Sequence, residues 1–516
     1  MTSIIFKRQM GVLLSGLVIF FILLLMPQPE GMTASGQSLL AVVVLMAIWW
    51  MGGGASITTT ALLPLILFPA LGIMSSSEVA PNYTNHLVFL FLGGFMIALA
   101  MEKWNFHKRI AIWCISVIGT DPQRIVLGFM VASAFLSMWI SNTATTMMML
   151  PVAMAVVKQI ASEASLKGER SKTTEQIIQQ SFGLVMMLGL AYSASIGGVG
   201  TLIGTPANIV FVGFYKGLYP DRANISFFEW MVMAVPLVCV FLPIVWLYLC
   251  KFVSPVPMKN IQFGSSGSDI IKGELEALGK MSRPEKIIGF IFLSTALLWV
   301  FREPIDIGFW VVPGWSGLFP EAKLIHDATV AMAMGLLLML IPVNFGKGTE
   351  LEGSREFFIL DWETVQSRVP WGILLLFGGG FALAAGFGKT GLDQWIGLQL
   401  TGVSVLPLIG AIFVVCIVVT FMTELTSNTA TLAMILPIIG AVAVAGGYEP
   451  LMLMIPATLS ASFAFMLPVA TPPNAIVYGS GWVSIAGMSR AGFALNLIGA
   501  VLITLLVLLV VERNML

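Results

Sequence analysis

Charge is scarce in this chain. Asp, Glu, Lys and Arg together make up 10% of its 516 residues, against 58% hydrophobic ones, and the mean hydropathy is +0.94. A water-soluble globule of that length needs far more polar surface, so the composition excludes that class and leaves an all-α polytopic membrane protein. The 26 basic and 26 acidic residues cancel, and no long basic run stands outside short loops, which excludes an electrostatic nucleic-acid partner. Cysteine and histidine are nearly missing. Cys114, Cys239, Cys250 and Cys416 have neither a C-x-x-C pair nor a neighbouring histidine, and they read as small apolar packing residues rather than disulfides or metal ligands. His86, His107 and His326 are scattered, as loop or interface residues rather than a proton relay.

What the chain does have is one short polar signature written twice inside apolar stretches. The first copy is Ser141-Asn142-Thr143-Ala144-Thr145 with Pro151 after it, and the second is Ser427-Asn428-Thr429-Ala430-Thr431 with Pro437. Each is trailed by a second motif, Gly204-Thr205-Pro206-Ala207-Asn208 and Ala470-Thr471-Pro472-Pro473-Asn474. Gly93-Gly94-Phe95 recurs as Gly379-Gly380-Phe381 at an offset of 286 residues, which is also the offset of Ser141 and Ser427. Thr205 and Thr471 are 266 apart, so the second half is 20 residues shorter between its motifs. Much of that difference falls in the charged loop 161–180, where insertions are tolerated. The chain is an internal duplication.

Apolar windows of about 20 residues recur along the whole length. They predict eleven spans, near 10–27, 37–52, 55–73, 86–104, 181–214, 228–250, 286–301, 325–343, 371–391, 451–480 and 491–511. Lys7 and Arg8 precede the first, which lacks a convincing cleavage site and reads as a retained span rather than a signal peptide. Two further apolar stretches, 123–160 and 406–446, are interrupted by Ser-Asn-Thr and read as re-entrant hairpins. With the N-terminus cytoplasmic, 20 Lys and Arg residues fall inside and 6 outside, the expected bias. Eleven spans then leave the C-terminus outside, so the first hairpin opens inward, the second outward, and the halves are inverted repeats. The predicted division is residues 1–253, a cytoplasmic linker 254–285 containing Gly264-Ser265-Ser266-Gly267-Ser268, and residues 286–516. Amphipathic stretches at 104–120 and 391–401 are expected at opposite membrane interfaces.

Helix-breaking polar motifs at matching places in two hydrophobic halves mark a binding site at the midplane of a secondary transporter. A hairpin ending at mid-membrane exposes unpaired amides and carbonyls. Helix N-termini suit a carboxylate, while freed carbonyls and Ser, Thr and Asn oxygens suit a hard cation such as sodium. Asn142 and Asn428 carry both a donor and an acceptor, and Thr143 and Thr429 offer hydroxyl donors. Pro206, Pro472 and Pro473 free a carbonyl one turn back, and Gly197, Gly198, Gly200 and Gly204 permit close backbone approach. Ser-Asn-Thr alone reads equally as an N-cap or a packing patch, but two copies in register with Thr-Pro-x-Asn set that aside. No charged residue lies within the four motifs, so a dianion bound there needs cations beside it, which points to sodium cotransport. Glu424 is the one nearby carboxylate, and a bracing role is expected for it ahead of ion binding. A channel would need a continuous polar pore, and an intramembrane hydrolase would need a base beside Ser141 or Ser427.

These motifs resemble those of the divalent anion/sodium symporter family. The stretch Ala461-Ser462-Phe463-Ala464-Phe465-Met466-Leu467-Pro468 running into Asn474-Ala475-Ile476-Val477 is similar to the family signature. Phe91-Leu92-Gly93-Gly94-Phe95 and Glu102-Lys103-Trp104 look most like bacterial sodium/dicarboxylate symporters. The resemblance implies a multi-pass protein of the cell membrane, a homodimer with a fixed scaffold, and a mobile region that carries the site as an elevator. It implies one sodium site from Ser141, Asn142 and the Gly204 backbone, and another from Thr423, Asn428 and the Ala470 backbone. It further implies substrate contacts from Asn142, Thr143, Thr205, Asn428, Thr429, Thr471 and Pro472, sodium as the cotransported ion, and no organic cofactor. The implied substrates are four-carbon dicarboxylates such as succinate, fumarate and malate, with a dicarboxylate or tricarboxylate exchanger and a sulfate carrier as alternatives. Thr205-Pro206-Ala207 departs from the paired prolines of many relatives.

Overall fold

In lipid every backbone N–H and C=O must be satisfied within the chain, so an apolar sequence of this kind folds into helices. The computed structural model describes residues 2–119, 121–163, 165–166, 172–222, 224–258, 261–262, 273, 275–306, 310–343, 357–399 and 406–511. There the regular secondary structure is helical apart from two-residue antiparallel ladders, Ser165–Leu166 with Ile261–Gln262 and Ile305–Asp306 with Val311–Val312, and one isolated bridge. Among the described residues nine helices are long and apolar enough to cross a membrane. The expected Gly264 to Ser268 linker run lies outside the described residues, as do residues 164 and 167–171 of the charged loop 161–180.

The first half begins with α1 (Thr2–Leu25), α2 (Ala34–Gly52), α3 (Ile57–Ala61), α4 (Leu63–Ala70), α5 (Ser76–Val79) and α6 (His86–Lys103). It continues with α7 (Phe106–Ile118), α8 (Pro122–Ser137), α9 (Asn142–Glu163), α10 (Lys172–Gly198), α11 (Pro206–Leu218) and α12 (Phe227–Tyr248). The second half holds α13 (Arg283–Val300), α14 (Asp327–Leu340), α15 (Trp362–Arg368), α16 (Trp371–Thr390) and α17 (Leu392–Gln399). It closes with α18 (Leu408–Thr423), α19 (Asn428–Ala445), α20 (Leu451–Ala461), α21 (Pro472–Tyr478) and α22 (Ile485–Leu506). Each expected apolar segment carries helix. The segment expected as one span at 55–73 is divided at Leu62, where Pro64 enters the first turn of α4 and has no N–H to continue the ladder. The expected spans 181–214 and 451–480 are each interrupted, the first helical only to Gly198 and again from Pro206, the second only to Ala461 and again from Pro472.

The leading helices of the two expected hairpins, α8 and α18, have 16 residues each. At 1.5 Å per residue that is about 24 Å, short of the roughly 30 Å hydrocarbon layer. The helix breaks at 138–141 and 424–427, directly before each Asn.

Two glycines show how the halves interlock. Gly93 on α6 packs on the Ala331 backbone of α14, and Gly379 on α16 packs on the Ala61 backbone of α3; a Cβ at either would overlap main-chain atoms. The Gly-Gly-Phe helix of each half is therefore seated on a helix of the other. At one edge, α7 buries Phe106, Ala111, Ile112 and Ile115 while Trp113 and Val117 stay exposed. Arg109 ties it to the start of α13, donating to Glu285 Oε1 at 2.7 Å, Gly279 O at 3.0 Å and Leu278 O at 3.1 Å.

Candidate functional site

Four helices begin at the four motifs: α9 at Asn142, α19 at Asn428, α11 at Pro206 and α21 at Pro472. They pack crosswise, α9 against α21 and α11 against α19. Each Ser-Asn-Thr helix thus lies on the Thr-Pro helix of the opposite half. Proline starts α11 and α21 because the first helical N–H has no intrahelical partner to lose. Thr205 and Thr471 precede them as N-caps with nearly the same backbone, φ −139° in both and ψ 142° and 148°.

The breaks between α10 and α11, and between α20 and α21, would strand backbone groups inside the protein, so side chains take them up. Asn208 Nδ2 donates to Gly198 O at 3.3 Å, Val199 O at 3.4 Å and Thr201 O at 2.7 Å. Asn474 Nδ2 donates to Ala464 O and Leu467 O, both at 3.0 Å. Ala464 and Leu467 follow Gly198 and Thr201 at the offset of 266 that separates the two asparagines. Trp230 and Asn496 share that offset and both hold the next residue of the break. Trp230 Nε1 donates to Val199 O at 2.8 Å, and Asn496 Oδ1 accepts from Phe465 N at 3.3 Å.

In the first half, the outer end of the Asn142 amide faces three oxygens: Ser137 Oγ at 2.6 Å, Gly204 O at 3.2 Å and Ala194 O at 3.3 Å. With its nitrogen turned that way the amide donates to all of them. With Oδ1 turned that way it accepts from Ser137 Oγ and faces the two carbonyl oxygens, a set of oxygens that suits a cation. Asn142 and Gly204 were expected together; Ser137 and Ala194 were not. Ser141 Oγ accepts from Ala144 N at 3.3 Å, capping α9. Gly198 lies directly under Asn142, where a Cβ would collide with Oδ1.

In the second half, Asn428 Oδ1 is buried without a hydrogen-bond partner among the described residues. Thr423 is fully buried, and its Oγ1 donates to Thr420 O at 2.9 Å. Ala470 is buried with its N–H on Leu467 O at 3.1 Å. Thr205 and Thr471 are buried, Thr143 and Thr429 half-buried, and Pro472 exposed. Glu424 accepts from Met466 N at 2.9 and 3.1 Å, Leu467 N at 3.1 Å and Asn496 Nδ2 at 2.7 Å, so it braces the second break. Among the described residues no group of three or more His, Cys, Asp or Glu side chains gathers as a metal cluster.

Residues 7–512 match a family model described as the sodium:sulfate symporter transmembrane region. A sodium-dependent dicarboxylate transporter, SdcS, of Staphylococcus saprophyticus is 41% identical over 499 residues, covering 97% of this chain and 91% of the relative. The protein of that name in Staphylococcus aureus strain NCTC 8325 is 41% identical over 495 residues, covering 96% and 90%. Two solved structures share the fold at 12% identity. The Alcanivorax borkumensis YdaH transporter has a TM-score of 0.53, covering 83% of this chain and 86% of that one, and Neisseria gonorrhoeae MtrF has 0.55, covering 93% and 95%. With a matching family model across nearly its whole length and a relative 41% identical over 97% of it, the chain belongs to the divalent anion/sodium symporter family.

Proposed function

We propose that this protein is a sodium-coupled symporter that imports four-carbon dicarboxylates such as succinate, fumarate and malate across the cell membrane. The observation that carries the reading is the Asn142 cradle, where a side-chain oxygen position and the oxygens of Ser137, Ala194 and Gly204 converge with no charged group. The near-full-length relatives named as sodium-dependent dicarboxylate transporters support the ion and the substrate class. One sodium ion occupies that cradle, with Ser141 at its edge. A second lies among Thr423, Asn428 and the Ala470 backbone. One substrate carboxylate meets Asn142, Thr143 and Thr205, and the other Asn428, Thr429 and Thr471, with Pro472 shaping the wall. Two Ser-Asn-Thr turns, one per carboxylate, suit a short dianion, and bound sodium offsets its charge in a low-dielectric site.

The same reading makes residues 1–253 and 286–516 inverted repeats with eleven spans and two hairpins, the N-terminus cytoplasmic and the C-terminus outside. The crosswise packing of α9 on α21 and of α11 on α19 supports a single mobile unit that carries the site as an elevator within a homodimer. Uptake of labelled succinate into proteoliposomes tests this, with inward sodium or potassium gradients and with or without internal dicarboxylate. Uptake that needs sodium and no preload is expected; uptake that needs preload and ignores sodium would make the protein an exchanger.

A further inference from the structure

The two halves share several of the bonds that hold their breaks, and they differ at Glu424. Glu424, the residue after Thr423, falls at the offset of 286 on Met138, the residue after Ser137. In the first half the main chain of Met138 takes the bond, its carbonyl accepting from Thr201 Oγ1. In the second half a carboxylate 3% exposed does the work, accepting from Met466 N, Leu467 N and Asn496 Nδ2. Every partner of Glu424 is a donor, which fits the ionised form, since a carboxyl O–H would have to point at an N–H. Among the described residues no Lys, Arg or His pairs with it. A lone buried charge is costly, and three neutral donors offset only part of that cost.

We infer that Glu424 is a positioning residue that makes the two sodium sites unequal, its carboxylate fixing the 465–467 turn and favouring a cation at Thr423, Asn428 and Ala470. This rests on the sodium-coupled reading given above. The first-half cradle has no corresponding charge, because Met138 is neutral. The second-half site therefore takes its sodium at lower concentration and fills first. Glu424 acts through two routes. Leu467, whose N–H it holds, accepts from Ala470 N and from Asn474 Nδ2, so the turn bearing the Ala470 carbonyl is tied to the carboxylate. The charge itself also acts on the ion over a short path through a low-dielectric interior.

The test is sodium-activated uptake of labelled succinate by proteoliposomes containing wild type, Glu424→Gln, and the double variant Glu424→Gln with Asn496→Asp. The double variant returns a carboxylate to the partner that lies 2.7 Å away. Glu424→Gln is expected to raise half-saturating sodium about tenfold. Its kcat at saturating sodium should stay within about twofold of wild type, and the double variant should recover most of the sodium affinity. Unchanged half-saturating sodium in Glu424→Gln overturns the inference. So does a variant that loses kcat and melting temperature together without recovery in the double variant, since that is the outcome of a purely structural brace. A wild type whose uptake and melting temperature both ignore sodium sinks the sodium-coupled reading itself and this inference with it.

Discussion

Asn208 and Asn474 reach back to carbonyls ten and seven residues before them, Gly198 and Thr201 in one half and Ala464 and Leu467 in the other. Both asparagines are fully buried, and the Oδ1 of each has no partner among the described residues. Leucine would leave Gly198 O in the first break or Ala464 O in the second unsatisfied, at about 1–3 kcal/mol, and would take one donor from the other carbonyls. Asn208→Leu and Asn474→Leu should lower the melting temperature in detergent by similar amounts and abolish sodium-driven uptake. A variant that melts like wild type would show that its break is held by other bonds.

Much of this geometry was legible in the chain and some was not, for definable reasons. The duplication could be read because Ser-Asn-Thr and Thr-Pro-x-Asn keep their residue types in both halves. Ser137 was missed, although stepping back 286 residues from Thr423 lands on it. Ala194 joins the cradle through its carbonyl, and a backbone oxygen leaves no mark on residue identity. Trp230 and Asn496 do corresponding work with unlike side chains, an indole donor on one break and an amide acceptor on the other, so no motif links them. The division of the third span at Leu62 had a visible sign in Pro64, outweighed by the apolar run around it.

Two glycines separate packing from ion binding. At Gly93 a Cβ would meet the Ala331 main chain, which cannot yield, so Gly93→Ala should destabilise by about 1–3 kcal/mol and reduce the folded yield. At Gly198 a Cβ would meet the Asn142 amide, the end of a side chain that can swing away. Gly198→Ala should therefore fold and raise half-saturating sodium by about tenfold or more. Size-exclusion profiles and sodium activation curves on the two variants check this; a well-folded Gly198→Ala with wild-type sodium activation would remove Asn142 from the cation cradle.

Asp361 offers a pH test outside the membrane segments. Burial pushes its carboxyl up, but Lys103 Nζ at 2.6 Å, Thr364 N at 2.7 Å and Thr364 Oγ1 at 2.9 Å outweigh that and hold it at about 2. A folded value below the unfolded one of about 4 contributes stability that is full above the unfolded value and lost as pH falls through about 2. Asp361→Asn keeps the N-cap and removes the charge. The side chain is 40% exposed, so solvent screening limits the difference to about 1 kcal/mol or less. Melting temperatures of the two proteins should differ at pH 6 and converge as pH approaches 2; a gap that stays constant would mean that the ion pair between α6 and the start of α15 contributes nothing.

The two signature asparagines should fail in different ways. Asn142 is already engaged with Ser137, Ala194 and Gly204, so Asn142→Ala removes a group that three oxygens face and leaves them unsatisfied. Asn428 Oδ1 is unpartnered, so Asn428→Ala removes an atom that the empty protein does not use. Both variants should lose succinate uptake by about 100-fold or more. Without sodium, Asn142→Ala should melt below wild type while Asn428→Ala should melt close to it or above, because leaving buried groups unsatisfied costs about 1–3 kcal/mol and removing an acceptor that is already unpartnered relieves such a cost. Adding sodium should stabilise wild type well beyond either variant, since each retains at most one of the two cation sites. Melting curves in sodium and in potassium measure all three effects, and uptake surviving in either variant with normal sodium dependence would overturn the site.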